Sequence, residues 1–214
     1  MAELNIIDIS LELREGMVVW PGDQPFRLTQ QGSIQSGSTA NITALQMSSH
    51  TGTHVDAPYH FLSEGRTLDK VELRHFCGPA VVVEAAGPSI DLKAVETAAI
   101  RSGDIVLFKT ENGQRQRQDT FQEDFAFLTE EAALYLVAQG VEGVGVDYLS
   151  IAQFGREAVV HRIILGAELG VIENVVLDHV SPGRYLLAAL PLKITGGDGS
   201  PVRAVLIDGL EDFS

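Results

Sequence analysis

The chain of 214 residues contains one cysteine, one tryptophan and three methionines. A lone cysteine forbids an internal disulfide, so noncovalent packing must hold the fold, and a reducing compartment suits it. Basic residues are scarce, since 15 Lys+Arg stand against 29 Asp+Glu for a net charge of −14. A surface of that sign repels a phosphate backbone and an anionic bilayer, so neither nucleic acid nor membrane is an expected partner. No apolar run approaches the ~18 residues of a membrane span. The segment Met1–Ser10 lacks the basic stretch and long apolar run of a secretion signal, so a cytoplasmic location is expected.

What is present is an ordinary globular mixture of 45% hydrophobic and 21% charged residues. That excludes global disorder and suffices for one domain over residues 1–214. Strand signals fall at Ile6–Leu11, Ala80–Ala86, Asp104–Lys109 and Val144–Leu149. Helix signals fall at Asp91–Ile100 and Thr129–Gln139, with Asp91 and Thr129 as N-caps and Gly140 as terminator. This succession predicts a parallel or mixed sheet, and the whole reads as α+β. Arg184–Ile194 and Arg203–Ile207 read as two strands of a hairpin whose turn-rich loop is Thr195–Pro201. Gln114–Gln118 reads as a solvated polar loop, and Cys77 as a packed or turn residue.

Three of the six histidines fall between His50 and His60, in the pattern H-x3-H-x-D-x3-H with Asp56 as the acid. Thr51, Gly52, Thr53, Val55 and Pro58 disfavour helix, and in an extended chain His50, His54, Asp56 and His60 share one side. Two imidazoles and a carboxylate facing one way suit Zn²⁺ or Mn²⁺. Three protein ligands leave room for a water, whose pKa a metal lowers from about 15.7 to roughly 7. His60 is then a candidate general acid/base, with a fourth ligand or a residue behind the ligands as the alternatives. His161 and Glu173 lie in apolar stretches and each needs a partner, by hydrogen bond or by ligation. His75 and His179 sit in polar surroundings and read as structural.

The run His50–His60 resembles the signature of the cyclase family of metal-dependent hydrolases, which includes bacterial kynurenine formamidases and isatin hydrolases. Trp20–Asp23, Val144–Ser150, Leu190–Lys193 and Gly199–Ala204 are similar to other parts of the family pattern, so the resemblance spans nearly the whole chain. It implies a swivelling β/β/α fold, with an antiparallel layer, a mixed sheet and flanking helices. It implies one or two divalent ions, Zn or Mn, with His50, His54 and Asp56 on the first. Asp56 would also face the second ion, His161 would bind that ion and Glu173 would bridge both. His60 would carry the proton, and Trp20 would touch a small-molecule substrate. The implied reaction is hydrolysis of an amide, best matched by N-formyl-L-kynurenine giving kynurenine and formate. A lactone or a cyclic amide such as isatin is the alternative, and a metal-binding relative without catalysis is a third reading. Asp147–Gly155 departs from the formamidase pattern, which bears on the substrate. A homodimer or homotetramer is implied by the resemblance alone.

Overall fold

The computed structural model describes residues 4–208. Thirteen strands follow one another along them: β1 (Asn5–Asp8), β2 (Arg27–Gly32), β3 (Ile42–Gln46), β4 (His54–Asp56), β5 (Cys77–Glu84), β6 (Ser89–Ile90), β7 (Ile105–Lys109), β8 (Phe127–Leu128), β9 (Gly143–Val146), β10 (Gly170–Glu173), β11 (Gly183–Ala188), β12 (Gly199–Pro201) and β13 (Val205–Asp208). Four helices join them: α1 (Leu92–Thr97), α2 (Asn112–Gln116), α3 (Glu130–Gln139) and α4 (Glu157–Gly166).

Nine strands form one mixed sheet in the order β1-β13-β11-β5-β7-β9-β10-β4-β12. Its centre, β5-β7-β9-β10, is parallel, as expected where helices cross over between strands. Both flanks are antiparallel. The sheet curls, because the segment after β1 reaches the opposite flank: Ser10 bridges Val175, and Leu11 N donates to Thr53 Oγ1 at 2.7 Å.

Strand alternation divides the core in two. On β5, Val81 faces the helix side with Leu136 and Ile164, while Ala80 and Val82 face the inside of the curl with Leu107, Leu187 and Leu206. The expected helices are present. Asp91 and Thr129 cap α1 and α3 by accepting from Ala94 N and Ala132 N, and Gly140 ends α3 in the left-handed conformation. Each such cap contributes about 1 kcal/mol.

Some expected strands end short of their sequence signals. Ile6–Leu11 stops at Asp8. Val144–Leu149 stops at Val146, where Asp147 turns inward to accept from Thr110 N and Oγ1, both at 2.7 Å. Arg184–Ile194 stops at Ala188, and the exposed Leu190-Pro191-Leu192 segment that follows is loop. The Thr195–Pro201 segment is no simple hairpin loop. It contains β12, which leaves its chain neighbours and pairs with β4 at the far edge of the sheet. Gln114–Gln118 is mostly the end of α2 rather than loop, and Gln116 Nε2 donates to Asn174 Oδ1 at 3.2 Å.

Candidate metal centre

His54 and Asp56 lie on β4, two residues apart, and therefore project to one side of the strand. β10 runs antiparallel beside it and pairs Glu173 with His54. His161 enters from α4, the helix preceding β10, and its ring reaches Glu173. The sheet thus brings a strand, its neighbour and the helix between β9 and β10 to one point.

His50 arrives differently. The single extended face expected from His50 to Asp56 breaks at Gly52, whose φ is +67°. His50 sits in the turn before β4, and the turn rather than strand alternation aims its ring at Asp56. A Cβ on Gly52 would push aside the end of the Leu13 side chain, and the left-handed backbone is what the position chiefly needs glycine for. Gly52→Ala is expected to lower stability by about 1–3 kcal/mol through left-handed backbone strain and overpacking, measurable by chemical denaturation. An unchanged denaturation midpoint would refute this account of the turn.

Both core histidines are fixed in the same way. His54 Nδ1 donates to Gly52 O at 2.8 Å, and His161 Nδ1 donates to Glu157 O at 2.7 Å. Each carbonyl requires the proton on Nδ1, which fixes ring orientation and turns Nε2 inward. His54 Nε2 then lies 3.3 Å from Glu173 Oε2 and 3.5 Å from Asp56 Oδ1. His161 Nε2 lies 3.0 Å from Glu173 Oε1 and 3.6 Å from Asp56 Oδ2. His54 Nε2 and Asp56 Oδ2 are buried without a hydrogen-bond partner. Buried orphans of this kind are costly unless something bridges them. Two inward imidazole nitrogens and two carboxylates, two of whose atoms are orphaned, match what a divalent cation needs. Two triads can each hold one: His50, His54 and Asp56, and Asp56, His161 and Glu173, with Asp56 common to both.

Electrostatics point the same way. Burial alone would lower the His50 pKa, but the Asp56 and Asp198 carboxylates raise it to about 10. Burial would push Asp56 up, yet the facing histidines, His50 foremost, hold it below the usual carboxylate range. Glu173 is pushed up by burial and by Asp56, and the hydrogen bond and charge of His161, with the nearby His54, bring it below its ordinary value. His161 is lowered by burial and raised overall by Glu173. The cluster therefore stores protons that a cation must displace. Zinc binding to chelator-stripped protein should release at least about one proton per ion and tighten as pH rises from about 6 to 8. Calorimetry in two buffers of different ionisation enthalpy measures this, and buffer-independent heat would contradict it.

His60 lies on a short 3-10 turn, Pro58–His60, as expected for a chain that bends after Pro58. Its ring stacks on His50 with centroids 3.8 Å apart, and its Nδ1 is 3.9 Å from Asp198 Oδ2. Burial, first, lowers its pKa from the ordinary value. Asp198 is the residue that sequence reading missed. It accepts from His50 Nε2 at 3.2 Å and from Ser49 Oγ at 2.9 Å, and it forms with His50 and His60 a third potential ion-binding group. The pairing of β12 with β4, with Ala57 N donating to Asp198 O at 2.8 Å, brings this loop residue here.

A cavity of about 290 Å³ opens onto His50, His54, His60, His161 and Glu173. Its outer wall includes Trp20, Asp23, Phe61 and Leu149. Trp20 packs edge-on against Phe121, with centroids 5.2 Å apart, and tilts against Phe154 at 5.6 Å. Phe61 stacks on His161 at 4.2 Å. His75 and His179 lie outside this site, bonded to Glu142 O and Asp8 O, and are structural as expected.

The Cyclase family model matches residues 7–153. A kynurenine formamidase of Geobacillus thermodenitrificans is 39% identical over 94% of this chain and 96% of its own. One from Erythrobacter litoralis is 35% identical over 96% and 94%. Among solved structures, a "predicted metal-dependent hydrolase" from Bacillus stearothermophilus superposes with a TM-score of 0.84 at 31% identity, covering 97% of this chain and all of that one. Isatin hydrolase A from Labrenzia aggregata shares the fold, with a TM-score of 0.83 at 24% identity over 95% and 93%. The histidine signature, the curled mixed sheet and these relatives agree: the chain belongs to the cyclase family of metal-dependent hydrolases.

Proposed function

We propose that this protein is a metal-dependent amidohydrolase of the arylformamidase type, converting N-formyl-L-kynurenine to kynurenine and formate. The observation that carries the reading is the pair of inward imidazole nitrogens of His54 and His161, set against the buried Asp56 and against Glu173, which lines the cavity. Relatives 35–39% identical over most of both chains, all named kynurenine formamidase, supply the substrate class. The ions are Zn or Mn, one or two per chain. His50, His54 and Asp56 would hold the first, and His161 would hold the second with Asp56, with Glu173 shared between the two.

A divalent cation in this site supplies Lewis acidity and an acidified water. The protein residues do the rest. His60 stands on the cavity wall, and its lowered pKa keeps the imidazole neutral near pH 7 and ready to accept a proton. It takes a proton from the attacking water as the oxygen bonds to the formyl carbon. It gives that proton to the amine nitrogen as the C–N bond breaks, so a neutral amine and formic acid leave, the acid losing its proton to solvent as formate. Asp198 steadies His50, on which His60 stacks. Trp20 and Phe61 flank the opening and suit an aryl group.

Self-association fits this chain too. The β2–β3 hairpin is exposed on both strands and presents the cross-strand pair Leu28 and Leu45, an arrangement of marginal stability alone.

The direct test is a hydrolysis panel on zinc- and manganese-loaded protein with N-formyl-L-kynurenine, isatin and aromatic lactones. Preferential turnover of the formamide supports the reading. Turnover of isatin or a lactone alone would replace it, since the departing segment contributes Leu149 and Ser150 to the cavity wall.

A further inference from the structure

Besides the metal-facing side chains, the cavity wall carries two carboxylates, Asp23 and Glu157. Glu157 is occupied, for its Oε1 accepts from Gly155 N. Asp23 is not. Its backbone N donates to Trp20 O at 3.0 Å and fixes the turn, while its half-buried side chain makes no hydrogen bond or ion pair among the described residues. It belongs to none of the groups able to hold an ion. No lysine or arginine lines the cavity among the described residues. The turn that carries Asp23 to the cavity also places the indole of Trp20 on its wall.

We infer that Asp23 is a specificity-determining residue that binds a primary ammonium group on the substrate, at the end remote from the bond that breaks. A carboxylate and an indole on one turn form a site for an organic cation, through a charge-assisted hydrogen bond and cation–π attraction. The same wall opposes an anion. The substrate class is thus an aryl amide carrying an ammonium group, and a substrate whose remote end is only acidic is disfavoured. The inference rests on the arylformamidase reading and deepens it.

The test compares three formamides: N-formyl-L-kynurenine, its desamino analogue with hydrogen in place of the α-ammonium group, and formanilide. Wild-type protein should favour the ammonium-bearing substrate over the desamino analogue by about tenfold in kcat/KM, mostly through KM. In Asp23→Asn that preference should fall below about twofold, and in Asp23→Glu it should be largely kept. A wild-type preference absent from the start, or one undiminished in Asp23→Asn, overturns the assignment of Asp23. Turnover of formanilide alongside either result shows that the reaction class stands and only this inference has failed. Absence of turnover on all three formamides overturns the reaction class and this inference together.

Discussion

Asp56→Asn is expected to abolish stoichiometric metal binding and to lower turnover at least about 10³-fold. Asp56 is common to both triads, and its Oδ2 is a buried orphan. The amide keeps the shape but loses the charge, so neither triad retains the carboxylate that balances a divalent cation. Loss of the ion removes several kcal/mol of transition-state stabilisation, and about 4 kcal/mol corresponds to roughly 10³-fold. His50 also loses its main anionic partner, so its pKa should fall from about 10. Metal analysis by plasma mass spectrometry, with steady-state rates on the same sample, measures the effect. Full occupancy with normal turnover would show that the ion sits elsewhere.

His60→Ala is expected to separate chemistry from metal binding. His60 stacks on His50 and is only partly buried, while the inward nitrogens belong to His54 and His161. Metal content should stay near wild type while turnover falls roughly 10²–10⁴-fold, the usual range for a lost general acid/base. The loss should shrink for formamides with better leaving groups, which need less protonation as they depart. Because His60 also falls within the group formed with His50 and Asp198, the opposite result is well defined. Metal and rate lost in parallel, without dependence on leaving group, would make His60 a ligand.

The parts of this site written in a local run of sequence were legible. His54 and Asp56 share a strand, and strand alternation places them correctly. His50 was identified through the wrong geometry, since a left-handed Gly52 rather than an extended chain delivers it. His161 and Glu173 lie on α4 and β10, and no local period joins them to β4. Residue reading showed only that each needed a partner, and the family resemblance supplied the roles. Asp198 was not legible at all. Its place depends on β12 crossing to β4, and strand order across a sheet leaves no local signature. The same limit explains the elements. Capped helices such as α3 carry their ends in their sequence, whereas Arg184–Ile194 reads as one strand because nothing local reveals that the partner register with β5 ends at Ala188.

Anomalous diffraction at the zinc edge from crystals grown with zinc tests the metal site at His54, Asp56, His161 and Glu173 most directly. The expected result is an anomalous peak within about 2.0–2.3 Å of His54 Nε2 or His161 Nε2 and of a carboxylate oxygen of Asp56 or Glu173. A peak coordinated only by His50, His60 and Asp198, or no peak at this cluster, would contradict it.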